Sequence, residues 1–248
     1  MKILIPTAKE MNTEIPSLEA KPLSPESQVV LDELARYSAQ ELESFYKISA
    51  DKAQEEYGHI QALKNELASN YPALHLFDGL MYRNIKRDNL TQAEQAYLEK
   101  HLMITSALYG VIPAFAPIAP HRLDFLMKLK IAGKSLKSHW QSAYEESMKG
   151  EDCIFSLLSS EFETVFPKEV REKMVTFKFM EERDGKLKIG APNHKKPALI
   201  QFRTDSIFYL FHKSQFLVTR QVFSIIEIRK AELFNLFNRS DLTFHQGC

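Results

Sequence analysis

At 248 residues, with 44% hydrophobic and 26% charged side chains, the chain has a folded, globular composition and enough length to bury roughly 70–75% of its unfolded surface. Its 32 basic and 32 acidic residues cancel, which excludes a binder working through the charge of its whole surface but leaves room for a local basic cleft. The two cysteines, Cys153 and Cys248, make neither a disulfide framework nor a zinc spacing and point to a reducing cytoplasm. No run approaches the roughly 18 apolar residues of a membrane span, and Met1–Pro6 lacks the apolar region of a signal peptide.

Ile3-Leu-Ile5, stopped by Pro6, reads as a buried first strand. Thr7-Ala-Lys9 follows its end, a favoured position for functional loops in sheet-and-helix folds. After a loop carrying Pro16 and Pro22, Ser24-Pro25-Glu26 opens a helix, with Ser as N-cap and Pro at the first helical position. A second helix spans Ala39–Tyr46, Lys47-Ile-Ser-Ala50 breaks it, and a third runs from Asp51 to Leu67 with Ala53, Tyr57, Ile60 and Leu63 inward. Leu74, Leu76 and Phe77 predict a second strand before Asp78-Gly79. Thr91 and Glu94 have capping-box spacing at the start of a helix that reaches Leu102. Met103, Ile104 and Leu108 lead into a rigid Pro-rich loop that ends near Phe125. Ser138–Met148 predicts a helix, in which Trp140 is a core residue. Cys153–Leu158 predicts a buried strand. Val175–Met180 alternates as a strand, and the Asp184-Gly185 turn returns it to Leu187–Ile189. No Pro/Gly/Ser linker interrupts the chain before residue 190, so the expected architecture is one mixed α/β (α+β) domain with a mixed sheet flanked by helices.

Several stretches, in order, carry a resemblance: Leu4-Ile-Pro-Thr-Ala-Lys9, Phe77-Asp-Gly-Leu-Met-Tyr82, Ser106-Ala-Leu-Tyr-Gly-Val111, Pro120-His-Arg-Leu-Asp124, His139-Trp140 and Leu158-Ser-Ser-Glu-Phe162. Over residues 1–189 the chain resembles the YaaA family of bacterial peroxide-stress proteins. The resemblance implies a single compact domain with a basic cleft. It also implies double-stranded DNA binding without sequence preference through a helix-hairpin-helix-like element, and a part in limiting damage by hydrogen peroxide and iron. It brings no catalytic residue, cofactor, metal or obligate protein partner, and no membrane association. Residues 190–248 depart from the family pattern. They hold 8 of the 17 Phe and a net charge of +4, against −4 for residues 1–189. Two readings of this segment stand: a frameshifted or replaced end, or a lineage-specific helical tail, since Phe216–Phe237 has helical periodicity.

The hairpin element falls on Phe45–Ala53. Ile48 is its buried residue, Ser49 the small one beside it, and Lys47 and Lys52 flank a phosphate held by backbone N–H groups. Its usual glycines are absent, and a plain helix–loop–helix corner is the competing reading. The other candidate DNA contacts are Lys9 after the first strand, Arg83 in the cluster with Lys86 and Arg87, Arg122 and Lys134 around the Pro-rich loop, and the pair Lys195 and Lys196. Asp124 stands where the family has Glu. It either forms a structural ion pair with Arg122 or orients that guanidinium toward the cleft. Tyr109 and Gly110 support the cleft. Ser159, Ser160 and Glu161 end a strand, but no nucleophile elbow and no linked His accompany them. The eight His show no zinc spacing. Three functions compete: a DNA-binding peroxide-stress protein, an enzyme acting on a nucleotide or modified base in the same cleft, and an iron-sequestering protein.

Overall fold

The computed structural model describes residues 1–183, 186–189 and 199–202, with side chains through residue 176. The chain divides into two units, residues 1–83 with 87–174, and residues 84–86 with 175–248.

In the first unit, β1 (Lys2–Pro6) is the apolar run expected of a strand covered on both faces, with Leu4 and Ile5 almost wholly buried. Three helices follow. Ser24 caps α1 (Pro25–Leu34), accepting from the Ser27 N–H at 3.1 Å. Ser38 and Glu41 form a capping box on α2 (Ala39–Tyr46). Three residues then lead to α3 (Ala50–Lys64). Next come β2 (Tyr71–Pro72) and the short helices α4 (Ala73–Leu76) and α5 (Leu80–Arg83). Thr91 and Glu94 form the predicted capping box on α6 (Gln92–His101), which runs without a loop into β3 (Leu102–Ser106).

After β3 the chain turns into β4 (Gly110–Pro113) and β5 (Pro117–Ile118), the latter pairing with β2. A small hairpin, β6 (Lys130–Ile131) and β7 (Lys134–Ser135), precedes α7 (Leu136–Ser147). The unit closes with β8 (Ile154–Ser156), α8 (Ser160–Glu163) and α9 (Lys168–Arg171). Strands β8 and β3 flank β1, both parallel to it, with Ile3 level with Phe155 and Leu102. Strand β4 adds antiparallel to β3, so the order is β8-β1-β3-β4. Leu4, Val30, Leu31, Leu42, Trp140 and Phe166 belong to one core, joining the sheet to α1, α2 and α7.

Two expectations need correction. Leu74–Phe77 is the helical turn α4 and its end, because the Ala73 and Leu74 N–H groups bond to the Ala116 and Ala114 carbonyls. A short apolar run does not distinguish the two periods. Residues 102–106 and 110–113 are strands, where a lead-in and a Pro-rich loop were expected.

Strand β9 (Met174–Arg183), in the second unit from Val175 on, pairs antiparallel with β10 (Lys186–Ile189) as predicted, and β11 (Leu199–Phe202) pairs antiparallel with β9. The Asp184-Gly185 turn, Lys195, Lys196 and the periodic stretch 216–237 lie outside the described residues.

Candidate functional site

Strands β1, β3 and β8 run parallel, and the loops leaving their carboxyl ends converge, the usual location of a site in such sheets. A cavity of about 70 Å³ opens there, lined by Thr7–Lys9, Phe77, His121–Asp124, Glu161 and Phe162. Gly79 is required for the loops to meet, since a Cβ on it would fall 2.7 Å from the Ala8 Cβ.

The loop carrying residues 119–124 is held from beneath. Burial pushes the Tyr109 phenol up to about 12, and this neutral hydroxyl accepts from the Ala119 N–H at 3.0 Å. His121 is buried, which lowers its pKa and keeps it neutral. Its Nδ1 lies 2.9 Å from the Ala119 carbonyl and its Nε2 3.4 Å from Ser106 Oγ. A carbonyl only accepts, so Nδ1 carries the proton and Nε2 faces the serine hydroxyl. Ser106 Oγ in turn accepts from the N–H groups of Leu108 and Tyr109.

Above this frame sit two cations and two carboxyl groups. Lys9 Nζ lies 3.5 Å from Asp124 Oδ2, while Asp124 Oδ1 accepts from the Leu126 N–H at 3.0 Å. Glu161 Oε1 accepts from the Phe125 N–H at 2.9 Å. Burial, and then the nearby Asp124 charge, push the Glu161 carboxyl above its ordinary range. No ion pair joins Arg122 to Asp124 among the described residues, and the aspartate turns to Lys9 instead. The Arg122 guanidinium lies 5.9 Å from the centre of the Tyr46 ring, and its buried Nε has no hydrogen-bond partner.

Tyr46 is the last residue of α2, where the turn into α3 begins. Lys47 takes the left-handed conformation (φ 54°, ψ 53°) at the position where helices usually place glycine. Ile48 packs half-buried against the core, and Ser49 stands at the N-cap of α3 with no side-chain bond to the first turn. Ala53 is buried and lets the two helices approach. Lys47 and Lys52 are exposed and make no ion pair among the described residues. On the inner side of this corner, Tyr46 Oη is buried without a hydrogen-bond partner, and the buried Glu56 Oε2 and His59 Nδ1 face each other. Glu56 Oε2 and His59 Nδ1 are 3.5 Å apart, and this carboxylate raises the His59 pKa. Burial, and then Glu56, push the Tyr46 phenol far up.

The remaining candidates separate. Arg83 is committed to Glu10 Oε2 at 2.6 Å and Asp78 Oδ2 at 3.1 Å. Arg87, expected in a surface cluster, donates to the Leu74, His75 and Phe77 carbonyls and pairs with Asp78 at 2.6 Å, so it ties a loop together. Lys134 is exposed on β7. Gly110 serves the core: at φ +76° its missing side chain admits the Trp140 ring, which a Cβ would approach to 2.7 Å. Glu56 and His59 were not foreseen, although their i,i+3 spacing on the Ile60 face of α3 is a visible signal. Among the described residues no group of three His, Cys, Asp or Glu side chains could hold a metal ion.

Fold and site together define a mixed α/β protein with a charged cleft at the carboxyl ends of its parallel strands. The family model for the peroxide stress protein YaaA matches residues 1–197, and the chain belongs to that family. It is 63% identical over 247 residues to a UPF0246 protein of Streptococcus pneumoniae strain CGSP14, covering all of this chain and 97% of that one. It is 62% identical, with the same coverage, to UPF0246 protein SP70585_1589 of strain 70585. Both alignments take in the C-terminal segment, which these streptococcal relatives therefore share.

Proposed function

We propose that this peroxide-stress family member binds duplex DNA, gripping a backbone phosphate at the α2–α3 turn, and thereby limits oxidative damage to DNA. The observation that carries the reading is the turn itself. Lys47 occupies the left-handed position, Ser49 leaves the first turn of α3 without a side-chain cap, and the unpaired Lys47 and Lys52 stand on either side. Uncapped N–H groups and the positive end of a helix favour an anion, and two exposed lysines add attraction without sequence readout. Arg122 beside the Tyr46 ring, Lys9 after β1, Lys134 on β7 and the pair Lys195 and Lys196 are further contacts. A cytoplasmic location accompanies this reading, and no described helix is long and apolar enough to cross a membrane.

The test is fluorescence anisotropy with a labelled random 30-mer duplex at two salt concentrations. Binding should weaken steeply with salt, as expected for several neutralised phosphates. The double variant Lys47→Glu, Lys52→Glu should lower the affinity at least tenfold and flatten the salt slope. Unchanged affinity would remove the turn from the binding site.

A further inference from the structure

The cavity at the strand ends is poorly suited to a phosphate. Lys9 and Arg122 share its walls with the carboxyl groups of Asp124 and Glu161, and Lys9 is already paired with Asp124. Its volume is about 70 Å³. That favours a compact ring over a nucleotide with its sugar and phosphate. The walls combine two aromatic residues, Phe77 and Phe162, with donor and acceptor side chains. Arg122 lines it with a guanidinium whose buried Nε–H has no partner, and Asp124 and Glu161 line it with carboxyl groups. A ring carbonyl or ring nitrogen suits the first, and an exocyclic amine or ring N–H suits the second.

The cavity is also joined to the turn. Arg122 lies against the Tyr46 ring, and Lys47 is the next residue along the chain. Tyr46 thus connects the turn to Arg122 on the cavity wall. We propose that the cleft receives one nucleobase, turned out of a duplex whose backbone is held at the α2–α3 turn, an inference that rests on the DNA-binding reading above. Unstacking costs least for a base already mispaired, so mismatched duplexes should be preferred.

The test uses the full chain and a duplex carrying one 2-aminopurine, either paired with thymine or placed in a mismatch, with saturation verified by anisotropy. The expected result is a rise of roughly threefold or more in 2-aminopurine emission on saturation, larger for the mismatch. Arg122→Gln and Asp124→Asn, each checked for cooperative unfolding and measured at its own saturating concentration, should lose at least half of that rise. Lys47→Glu should only raise the concentration required. Saturated binding with unchanged emission in both duplexes would overturn delivery of a base from the duplex and leave DNA binding standing, and the absence of any melting shift in the second arm would then overturn the base site as well. No duplex binding at all would overturn both. A second arm measures melting temperature with millimolar adenosine, guanosine, cytidine and thymidine. A shift there without any emission change would keep the base site and overturn its delivery from a duplex.

Discussion

Two regions of the first unit bury tyrosine hydroxyls, and they treat them oppositely. Beside β3, Tyr144 Oη donates to the Ser106 carbonyl at 2.9 Å, Trp140 Nε1 to the Ala107 carbonyl at 2.7 Å, and Thr105 Oγ1 to the Ile5 carbonyl at 3.2 Å. At the α2–α3 corner, Tyr46 Oη is buried with no hydrogen-bond partner, as is the Nε of Arg122 near the Tyr46 ring. An unmet buried polar group costs about 1–3 kcal/mol. The first region spends its polar groups on holding the fold. In the second, the Tyr46 hydroxyl and the Arg122 Nε are left without a protein partner.

The largest effect is expected in the scaffold. Gly110→Val puts a β-branched residue at φ +76° and drives its Cβ to within 2.7 Å of the Trp140 ring. Backbone strain and overpacking together should cost on the order of 3 kcal/mol, read from the urea midpoint. A loss under about 1 kcal/mol would mean that Trp140 yields easily and that this region is not the rigid one. Tyr144→Phe comes next. It leaves the buried Ser106 carbonyl without its donor and should cost about 1–2 kcal/mol, with the unfolding slope unchanged.

Acidity sharpens the comparison through two histidines of opposite sign. His121, under the cleft, has its pKa lowered by burial. Its contribution to stability is whole above the unfolded value near pH 6.5 and is lost as pH falls through the lower folded value. His59, at the corner, has its pKa raised by Glu56. Its contribution is whole below about pH 6.5 and is lost as pH rises through the higher folded value. Unfolding free energies measured from pH 5 to 8 should therefore gain a steeper acid limb in His59→Gln and a flatter one in His121→Asn. Parallel shifts in both variants would contradict these assignments.

What could be read from the sequence follows the range of the forces involved. Strand β1 and helices α1, α2, α3 and α6 were legible because their signals are local: Pro6 as a stop, Ser24 before Pro25, the break at Lys47–Ala50, Thr91 with Glu94. Strands β3 and β4 were not, since β3 leaves α6 with no turn residue between them and β4 begins inside a stretch rich in proline and aromatics. Lys9, Arg122 and Asp124 were each visible as charged residues on rigid loops. The choice of Lys9 as the partner of Asp124 depends on the parallel pairing of β1 with β3 and β8, which no local pattern encodes. Glu56 and His59 were missed because polar residues in an amphipathic helix ordinarily read as solvated.

The smallest effect is the most discriminating. Tyr46→Phe removes the same atom as Tyr144→Phe, from a residue that is also buried. Here the hydroxyl has no partner, so its removal relieves a desolvation cost and orphans no carbonyl. The ring remains, and with it the Arg122 contact at 5.9 Å. The variant should lie within about 0.5 kcal/mol of the parent, or on the stable side of it. Mutational effects depend on context, but context is what this pair isolates, since the atom deleted is identical. A loss matching that of Tyr144→Phe would mean that the Tyr46 hydroxyl is satisfied in solution, and the corner would then be scaffold like the rest. A neutral or positive value, together with loss of the 2-aminopurine response, would assign the hydroxyl to the ligand.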